Sequence, residues 1–179
     1  SPQPSQIDFE NQLSVALLKA QHHHTGPVYI EDESRLIGRN ALPDIFRNAL
    51  IASNIIVLET PLDERIDIVL QDYVIDMTQS YISVHGEAQG FDLFSDYLLQ
   101  SLGRISKRLG NENAGIIKAL MHDALNIQKE TSNVEAHKDW INKLLSDYYD
   151  PMYDYQLSKK SERIIFKGDK HAIVEWSKS

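Results

Sequence analysis

Charged side chains of both signs follow a short apolar run near the beginning of the sequence. The run VYI (28–30) is followed at once by Glu31 and Asp32, and Arg35 and Arg39 lie a few residues further on. An apolar strand that ends in a carboxylate is typical of a Mg²⁺ site, and guanidinium groups bind phosphate oxygens bidentately. The plainer alternative is an acidic loop with locally paired arginines. The short motif alone favours that alternative, because apolar runs ending in an acid are common.

A nucleotide site of this kind also needs a phosphate-binding loop, and the sequence has none. The Walker A loop follows the pattern G-x-x-x-x-G-K-[ST], in which backbone N–H groups and a lysine surround the phosphates. No Gly-Lys pair occurs in the chain, and Lys167-Gly168 has the reverse order. We therefore expect no nucleoside triphosphate to bind here by the usual route, and no tightly bound cofactor.

Arg65 is a further candidate for a phosphate contact. It lies one turn into the helix that follows the strand NIIVLE (54–59). In an open parallel sheet, ligands gather at the carboxyl ends of the strands, so this position is suitable. The alternative is a surface ion pair with Asp63, Glu64 or another acid nearby, and such pairing is common.

Four tyrosines lie close together in the segment DYYDPMYDYQLSKK (147–160), and two lysines follow them. Tyrosines beside lysines suit stacking on unpaired bases, with phosphate neutralised close by. The alternative is a helix corner packed with tyrosines whose hydroxyls reach water or backbone. The candidate nucleic-acid contacts in this segment are Tyr149, Tyr153, Lys159 and Lys160.

A second basic surface is predicted on the helix over residues 91–109. Its apolar side chains form one stripe at the helical period, and Arg104, Lys107 and Arg108 project from the opposite side. These three side chains either contact a phosphate backbone or complement the negative end of their own helix.

Composition excludes several classes of site. The chain has no cysteine, so disulfides, cysteine zinc sites and thiol nucleophiles are absent. The net charge of −8 argues against indiscriminate binding of nucleic acid. However, residues 1–150 carry 12 basic and 22 acidic side chains and residues 151–179 carry 6 and 4, so a local basic surface remains. Neither a membrane-spanning run nor a signal peptide is visible, and we expect a cytoplasmic protein without membrane contact.

The elements that position these side chains alternate between strands and helices. Helical spacing of apolar residues and short apolar runs define them, with HHHTGP as a polar loop that ends the first helix. Thr60 and Asp150 are expected to cap helices, each with proline in the first turn. The predicted strands are VYI, NIIVLE and RIIFKG (163–168), and the predicted helices cover 7–20, 43–53, 62–77, 91–109, 112–130, 134–149, a helix starting at Asp150-Pro151, and 169–177.

This order predicts an α/β fold with a parallel sheet. The first strand and the Walker A loop of a P-loop-type sheet are absent, so the sheet is expected to be incomplete. We predict one domain over residues 1–179, with an α/β core of about 7–75 and 161–179. The helices of about 76–160 would form a lid-like insertion.

Several longer motifs together resemble the C-terminal part of the bacterial tRNA 2-selenouridine synthase family. They run from about Asp8 to Trp176: FENQL, VYIEDESRLIGR with LP shortly after, LETPLDERI, KRLG, YYDPMYDYQLSKKSERIIFKG and a closing VEW. Members of this family combine an N-terminal rhodanese domain with a C-terminal P-loop domain. They replace the sulfur of wobble 2-thiouridine in tRNA by selenium from selenophosphate, through an S-geranylated intermediate made from geranyl diphosphate.

The resemblance implies a transferase in which this chain contributes binding of tRNA and of a phosphate or diphosphate. The essential cysteine would lie in the rhodanese domain and the Walker A loop just upstream of residue 1, in agreement with SPQPSQ as a connecting segment. We therefore expect no catalytic residue in this piece and no activity of it alone. Partners would be tRNA, selenophosphate, geranyl diphosphate and the missing segments, with dimers formed through exposed sheet edges.

The resemblance also gives the candidate residues roles. Glu31 and Asp32 would hold Mg²⁺ with ATP, GTP or geranyl diphosphate, and Arg35, Arg39 and Arg65 would bind phosphate. The tyrosine–lysine segment and the Arg104–Arg108 face would contact tRNA. Two alternatives stay open: a tRNA-docking module with a vestigial nucleotide site, and a relative of small-molecule P-loop kinases.

Overall fold

The structure is a computed structural model that describes residues 3–23, 26–32 and 35–178. The chain divides into two compact units, residues 1–55 and residues 56–179. The prediction of one domain with a helical insertion stays a prediction.

The first unit combines two helices with a small hairpin. Glutamine side chains near the start of the chain hold the hairpin: Gln3 accepts a hydrogen bond from the Arg39 N–H (3.0 Å), and Gln6 accepts one from the Ala41 N–H (2.9 Å). The hairpin turns at Gly38, whose φ of +62° suits glycine. The elements are α1 (Gln6–His23), β1 (Leu36–Ile37), β2 (Asn40–Ala41) and α2 (Asp44–Ala52), and β1 and β2 are antiparallel.

Two sequence predictions fail in this unit. Val28, Tyr29 and Ile30 are not a buried strand: they lie in no sheet and are 51, 55 and 44% exposed. A strand needs a neighbour for its backbone groups, and no described segment pairs with these residues. The polar loop HHHTGP also begins later than expected, because α1 continues through His22 and His23, which suit the negative end of the helix. His24 and Thr25 lie outside the described residues.

The second unit contains a parallel sheet of two strands, as predicted for NIIVLE and RIIFKG. The strands are β3 (Ile55–Leu58) and β4 (Ile164–Gly168). The N–H of Glu59, directly after β3, donates to the carbonyl of Gly168 at the end of β4 (2.9 Å). The two strands therefore run in the same direction. The described residues form a mainly helical α/β structure with a small parallel sheet, which confirms the predicted class in this coarser form.

Long helices make up the rest of the second unit, and most of them match the prediction. Two of the joins are single π-helical turns, Gln71–Ile75 and Leu145–Tyr149, which let one helix pass directly into the next. The helices are α3 (Leu62–Leu70), α4 (Asp76–His85), α5 (Glu87–Leu109), α6 (Asn111–Thr131), α7 (His137–Leu144), α8 (Asp150–Ser158) and α9 (Lys170–Trp176), with a 3₁₀ turn at Ser161–Arg163.

The predicted caps at two of these helices are wrong. Pro61, not Thr60, precedes α3, and no side chain caps its first turn. Asp150 does not start a separate helix, because Tyr149 before it is already helical (φ −70°, ψ −47°) and the π turn continues into α8. The carboxylate of Asp150 is thereby free to bond outside its own helix. Asp169 does cap α9, accepting from the Ala172 N–H at 2.7 Å.

The core of the second unit lies between the helices. The apolar stripe predicted on α5 is buried, and residues of α6, α7 and the first π turn pack against it. Burying one such side chain contributes about 1.5–3 kcal/mol. The most deeply buried apolar members are Val74, Phe94, Ile117 and Ile141.

Buried polar side chains cross this core. The His137 ring Nε2 lies 2.9 Å from Oε1 of Gln128, and Nε2 of Gln128 donates to Oγ1 of Thr78 at 3.3 Å. The three residues belong to α7, α6 and α4. Their mutual hydrogen bonds offset the cost of burying polar atoms and fix the relative position of the three helices.

Single glycines form the corners between α4, α5 and α6. Gly86 (φ +80°, ψ 168°) and Gly110 (φ +79°, ψ 154°) adopt a conformation that is essentially restricted to glycine. Close to the first corner, a Cβ on Gly90 would lie 2.6 Å from Cα of Ile82. The close approach of α4 and α5 therefore depends on the missing side chain at position 90.

Among the described residues, none of the helices is both long enough and apolar enough to cross a membrane.

Candidate nucleic-acid interface

An ion pair between Arg65 and Asp150 is the first element of the candidate site. Nη1 of Arg65 donates to Oδ1 of Asp150, and Nη2 donates to Oδ2 at 2.9 Å. Such a two-pronged pair is the strong and directional form of the interaction. The sequence predicted either a phosphate contact or pairing with Asp63, Glu64 or another acid; the structure gives a partner 85 residues away along the chain.

The fold explains why these two residues meet. Arg65 lies one turn into α3, which begins at the carboxyl end of β3. Asp150 lies where the second π turn passes into α8. The side chains of Arg65 and Asp150 are 33 and 30% exposed, so the pair sits at the surface rather than in the core.

The pair leaves one donor without an acceptor. Nε of Arg65 is buried and has no hydrogen-bond partner among the described residues. An unsatisfied buried donor costs about 1–3 kcal/mol. Asp150 therefore satisfies the outer end of the guanidinium but not its inner nitrogen.

Electrostatics follow from this geometry. The hydrogen bond from Arg65 lowers the pKa of Asp150, with the positive charge of Arg65 adding to the effect against partial burial. The hydrogen bond to Asp150 raises the pKa of Arg65, and the charges of Asp150 and Asp154 raise it further. The negative charges of two carboxylates therefore act on Arg65, and its hydrogen bonds go to Asp150.

Tyrosines surround the same turn. The rings of Tyr148 and Tyr149 meet edge to face at 4.9 Å, and those of Tyr149 and Tyr153 lie nearly parallel at 6.4 Å. Burial, and then the neighbouring Tyr148, Tyr153 and Tyr73, raise the pKa of Tyr149. Tyr149 packs against the core, whereas Tyr153 is 54% exposed. The exposed ring can stack on a further flat group.

A lysine–tyrosine pair follows at the end of α8. The ammonium of Lys159 lies 4.2 Å from the centre of the Tyr155 ring, a cation–π contact. Tyr155 is 61% exposed, and Lys160 is half-buried. We call the tyrosines of residues 148–155 together with Lys159 and Lys160 the tyrosine–lysine corner. The role of these tyrosines and lysines in binding tRNA stays a prediction, and the structure shows Arg65 hydrogen-bonded to Asp150, the residue after Tyr149.

The other basic surface lies on a different helix. Arg104 stands over the Tyr97 ring at 6.0 Å, and Lys107 and Arg108 are exposed in the last turn of α5, as predicted for a solvated basic face. At this end of the helix they also complement its negative pole. Their role in binding tRNA stays a prediction.

The candidates of the first unit lie on irregular or hairpin backbone. Glu31 and Asp32 follow residues 27–30, which have no regular secondary structure, and Arg35 and Arg39 lie on either side of β1; all four are exposed. Within residues 3–23, 26–32 and 35–178, no three histidine, aspartate or glutamate side chains group closely enough to hold a metal ion. A shared anion site of these four residues stays a prediction.

A cleft between α3 and α7 has a different character. It measures about 560 Å³, and Asp63, Asp67 and Asp139 line it together with Lys138. Lys138 is already engaged by Asp67 (2.9 Å) and Glu135 (3.0 Å). An acidic cleft whose cation is paired repels phosphate, so it does not extend the candidate site.

Sequence reasoning missed Asp150 as the partner of Arg65. Local signals in a sequence come from short spacings such as i, i+4 on one helix, whereas Arg65 and Asp150 lie 85 residues apart. The pairing of Asp150 with Arg65 has no such local signal.

The family model and two curated relatives that match this chain carry the name of the same enzyme. The family model described as tRNA 2-selenouridine synthase AAA domain matches residues 1–179. The tRNA 2-selenouridine synthase of Marinobacter nauticus is 50% identical over 179 residues, which are all of this chain and 49% of that protein. The protein of the same name from Shewanella frigidimarina is 51% identical over 175 residues, 98% of this chain and 48% of that protein.

The chain spans about half the length of these curated relatives and corresponds to their C-terminal half. No solved structure matches it. The family model covers the chain from end to end, and the motifs that carried the resemblance lie inside the matched region. The chain belongs to the tRNA 2-selenouridine synthase AAA domain family.

Proposed function

We propose that this chain is the tRNA- and phosphate-binding part of a transferase that converts wobble 2-thiouridine of tRNA to 2-selenouridine. The names of its relatives support the tRNA substrate. In the proposed reaction of the whole protein, selenium from selenophosphate replaces sulfur through an S-geranylated intermediate formed from geranyl diphosphate. This chain alone is inactive in our proposal, because it supplies binding and no catalytic residue.

The observation that carries the proposal is the tyrosine–lysine corner. Tyr153 and Tyr155 expose more than half of their surface, and Lys159 stands over the Tyr155 ring. Aromatic faces stack on unpaired bases of any type, and adjacent cations neutralise the phosphates between them. An anticodon loop presents both groups together, since its bases are unpaired.

The phosphate part of the proposal concerns Arg65 in the second unit and Glu31, Asp32, Arg35 and Arg39 in the first. Arg65 offers a guanidinium at the carboxyl end of a parallel strand. Glu31 and Asp32 offer exposed carboxylate oxygens, the ligands that Mg²⁺ prefers. A magnesium ion held there would supply charge neutralisation for the diphosphate of geranyl diphosphate or of a nucleotide.

A second candidate is a tRNA-docking module whose nucleotide site is vestigial. The exposed, unpaired segment Val28–Ile30 favours it, because the strand that should present Glu31 and Asp32 is not formed. Salt-dependent binding of tRNA that neither nucleotide nor Mg²⁺ alters would support this second candidate.

Binding of a tRNA anticodon stem–loop with 2-thiouridine at the wobble position tests the proposal. Loss of one stacked base costs about 1–3 kcal/mol, so Tyr153→Ala should weaken binding by roughly fivefold or more in fluorescence anisotropy. Tyr29→Ala is the matched control, because Tyr29 is 55% exposed and Tyr153 54%. Equal affinities of the two variants would remove the corner from the RNA interface.

A further inference from the structure

We propose that Asp150 is a built-in competitor for the phosphoryl group that Arg65 binds, so that the ion pair opens when such a group arrives. The inference rests on the phosphate role proposed for Arg65 and adds a residue that regulates it. The ligand is a phosphoryl group, either in a small diphosphate or in the backbone of RNA.

The geometry of the pair supports competition. The two carboxylate oxygens of Asp150 each meet one terminal nitrogen of Arg65. Two oxygens of a phosphoryl group have a similar spacing and bind a guanidinium in the same two-pronged way. Asp150 and a phosphoryl group therefore use the same two donors and exclude each other.

The pair is also incompletely satisfied. Nε of Arg65 is buried without an acceptor among the described residues while Asp150 holds the other two nitrogens. Rotation of the guanidinium toward a phosphoryl group, which carries more acceptor oxygens than a carboxylate, gives this nitrogen a partner. In a purely structural ion pair, an unsatisfied donor only lowers stability. In a contact that exchanges partners, the same donor favours the phosphoryl group over Asp150, because it gains an acceptor only from the former.

The negative charge of Asp150 also weakens phosphoryl binding at Arg65. Asp150 is hydrogen-bonded to Arg65, and the negative charges of Asp150 and Asp154 both act on it. These three side chains together carry a net charge of −1, which opposes the approach of a phosphoryl group. Both members of the pair are about a third exposed, so a solute reaches them from water.

The decisive measurement compares Asp150→Asn with Asp154→Asn in the full chain, using calorimetric titration with inorganic pyrophosphate. Both substitutions remove one negative charge beside Arg65, but only Asp150 is hydrogen-bonded to it. We expect D150N to bind pyrophosphate at least about fivefold more tightly than D154N does. Arg65→Gln should abolish the gain, so that D150N combined with R65Q binds no better than R65Q alone.

The possible results distinguish competition by Asp150 from phosphate binding by Arg65. If R65Q weakens binding while D150N and D154N behave alike, Arg65 binds phosphate but Asp150 does not compete, and the inference is overturned. If R65Q changes nothing, the phosphate role of Arg65 falls and the inference with it, while RNA binding through Tyr153 is unaffected. Repeating the series with the anticodon stem–loop identifies the source, because only an RNA-backbone contact changes the affinity for RNA.

If the D150N variant fails to fold, NMR spectroscopy of the unaltered chain still tests the inference. The Nε–H signal of Arg65, assigned by its loss in R65K, should shift as pyrophosphate or RNA is added, since that nitrogen gains an acceptor. A signal that stays in place at saturation with either ligand overturns the inference.

Discussion

Trp140 donates its indole N–H to Nδ1 of His137 at 2.9 Å, with both side chains buried in the helical core. Because an indole nitrogen only donates, Nδ1 of His137 accepts and the ring proton lies on Nε2, toward the Gln128 oxygen. The neutral imidazole is thus the form that fits the core.

We expect this contact to make the fold sensitive to acid. Burial lowers the pKa of His137 from 6.5 to about 4. The unfolded chain therefore takes up this proton more readily between these values, and stability falls as pH drops through that window. Above about pH 6.5 this proton does not affect stability, and the loss of stability grows to roughly 3 kcal/mol at pH 4 or below. Urea unfolding from pH 7 to pH 4 measures it, and His137→Gln should flatten that part of the profile. An unchanged profile in H137Q would assign the acid sensitivity to other groups.

Gly90 and Gly103 should respond in opposite ways to alanine. A methyl group at position 90 meets the backbone of Ile82 at 2.6 Å, while one at position 103 has nothing within 4 Å. Both glycines lie in α5, so the change in helix propensity is the same and favours alanine by roughly 0.5–1 kcal/mol. We expect Gly103→Ala to raise the melting temperature and Gly90→Ala to lower it, with a net loss of about 1–3 kcal/mol from overpacking. Similar melting temperatures would show that α4 and α5 can separate without loss.

Lys159 should contribute to the salt dependence of RNA binding. If its ammonium neutralises one phosphate, Lys159→Ala reduces the slope of log K against log salt concentration by roughly 0.7. Lys178→Ala is the control: it removes the same charge from a lysine that pairs with Glu175 at 2.7 Å. Titrations of the anticodon stem–loop at several salt concentrations give the slopes. Identical slopes for the two variants would place Lys159 away from the RNA backbone.

Arg35 and Arg39 are expected to bind phosphate in the whole protein. Hydrogen bonds to charged groups contribute about 1.5–3 kcal/mol, so replacing both residues by alanine should weaken binding of geranyl diphosphate or nucleotide by about tenfold or more. Arg108→Ala, which also removes an exposed arginine, serves as the control. Unchanged affinity in the double variant would remove both residues from the phosphate site.

The sequence predicted the helices better than the first strand, and the reason is physical. Phe94, Leu98 and Leu102 recur at the helical period because one side of α5 is buried. The spacing of apolar residues therefore indicates both the helix and its buried side. The run Val28–Ile30 has strand-like residues, but a strand exists only where another segment pairs with it, and an apolar triplet does not encode that partner.

The candidate site shows the same limit. Tyr153 and Lys159 could be named from local composition, and α8 presents them at the surface. The sequence Asp150-Pro151 predicts a helix start equally well whether or not the preceding turn is helical. In the structure the π turn at Leu145–Tyr149 makes the helix continuous through Asp150, whose carboxylate binds Arg65. The bond joins residues 85 positions apart, a distance at which local patterns carry no information.

Gly86 and Gly110 are the only residues between α4 and α5 and between α5 and α6, so these connections contain no further linker residues. If α5 or α6 took up one extra residue at such a corner, every later side chain in that helix would rotate by about 100° around the axis. Phe94 or Ile117 would then leave the interior and a polar neighbour would replace it. Insertions and deletions in natural relatives should therefore avoid both corners and collect in the looser connection of residues 132–136.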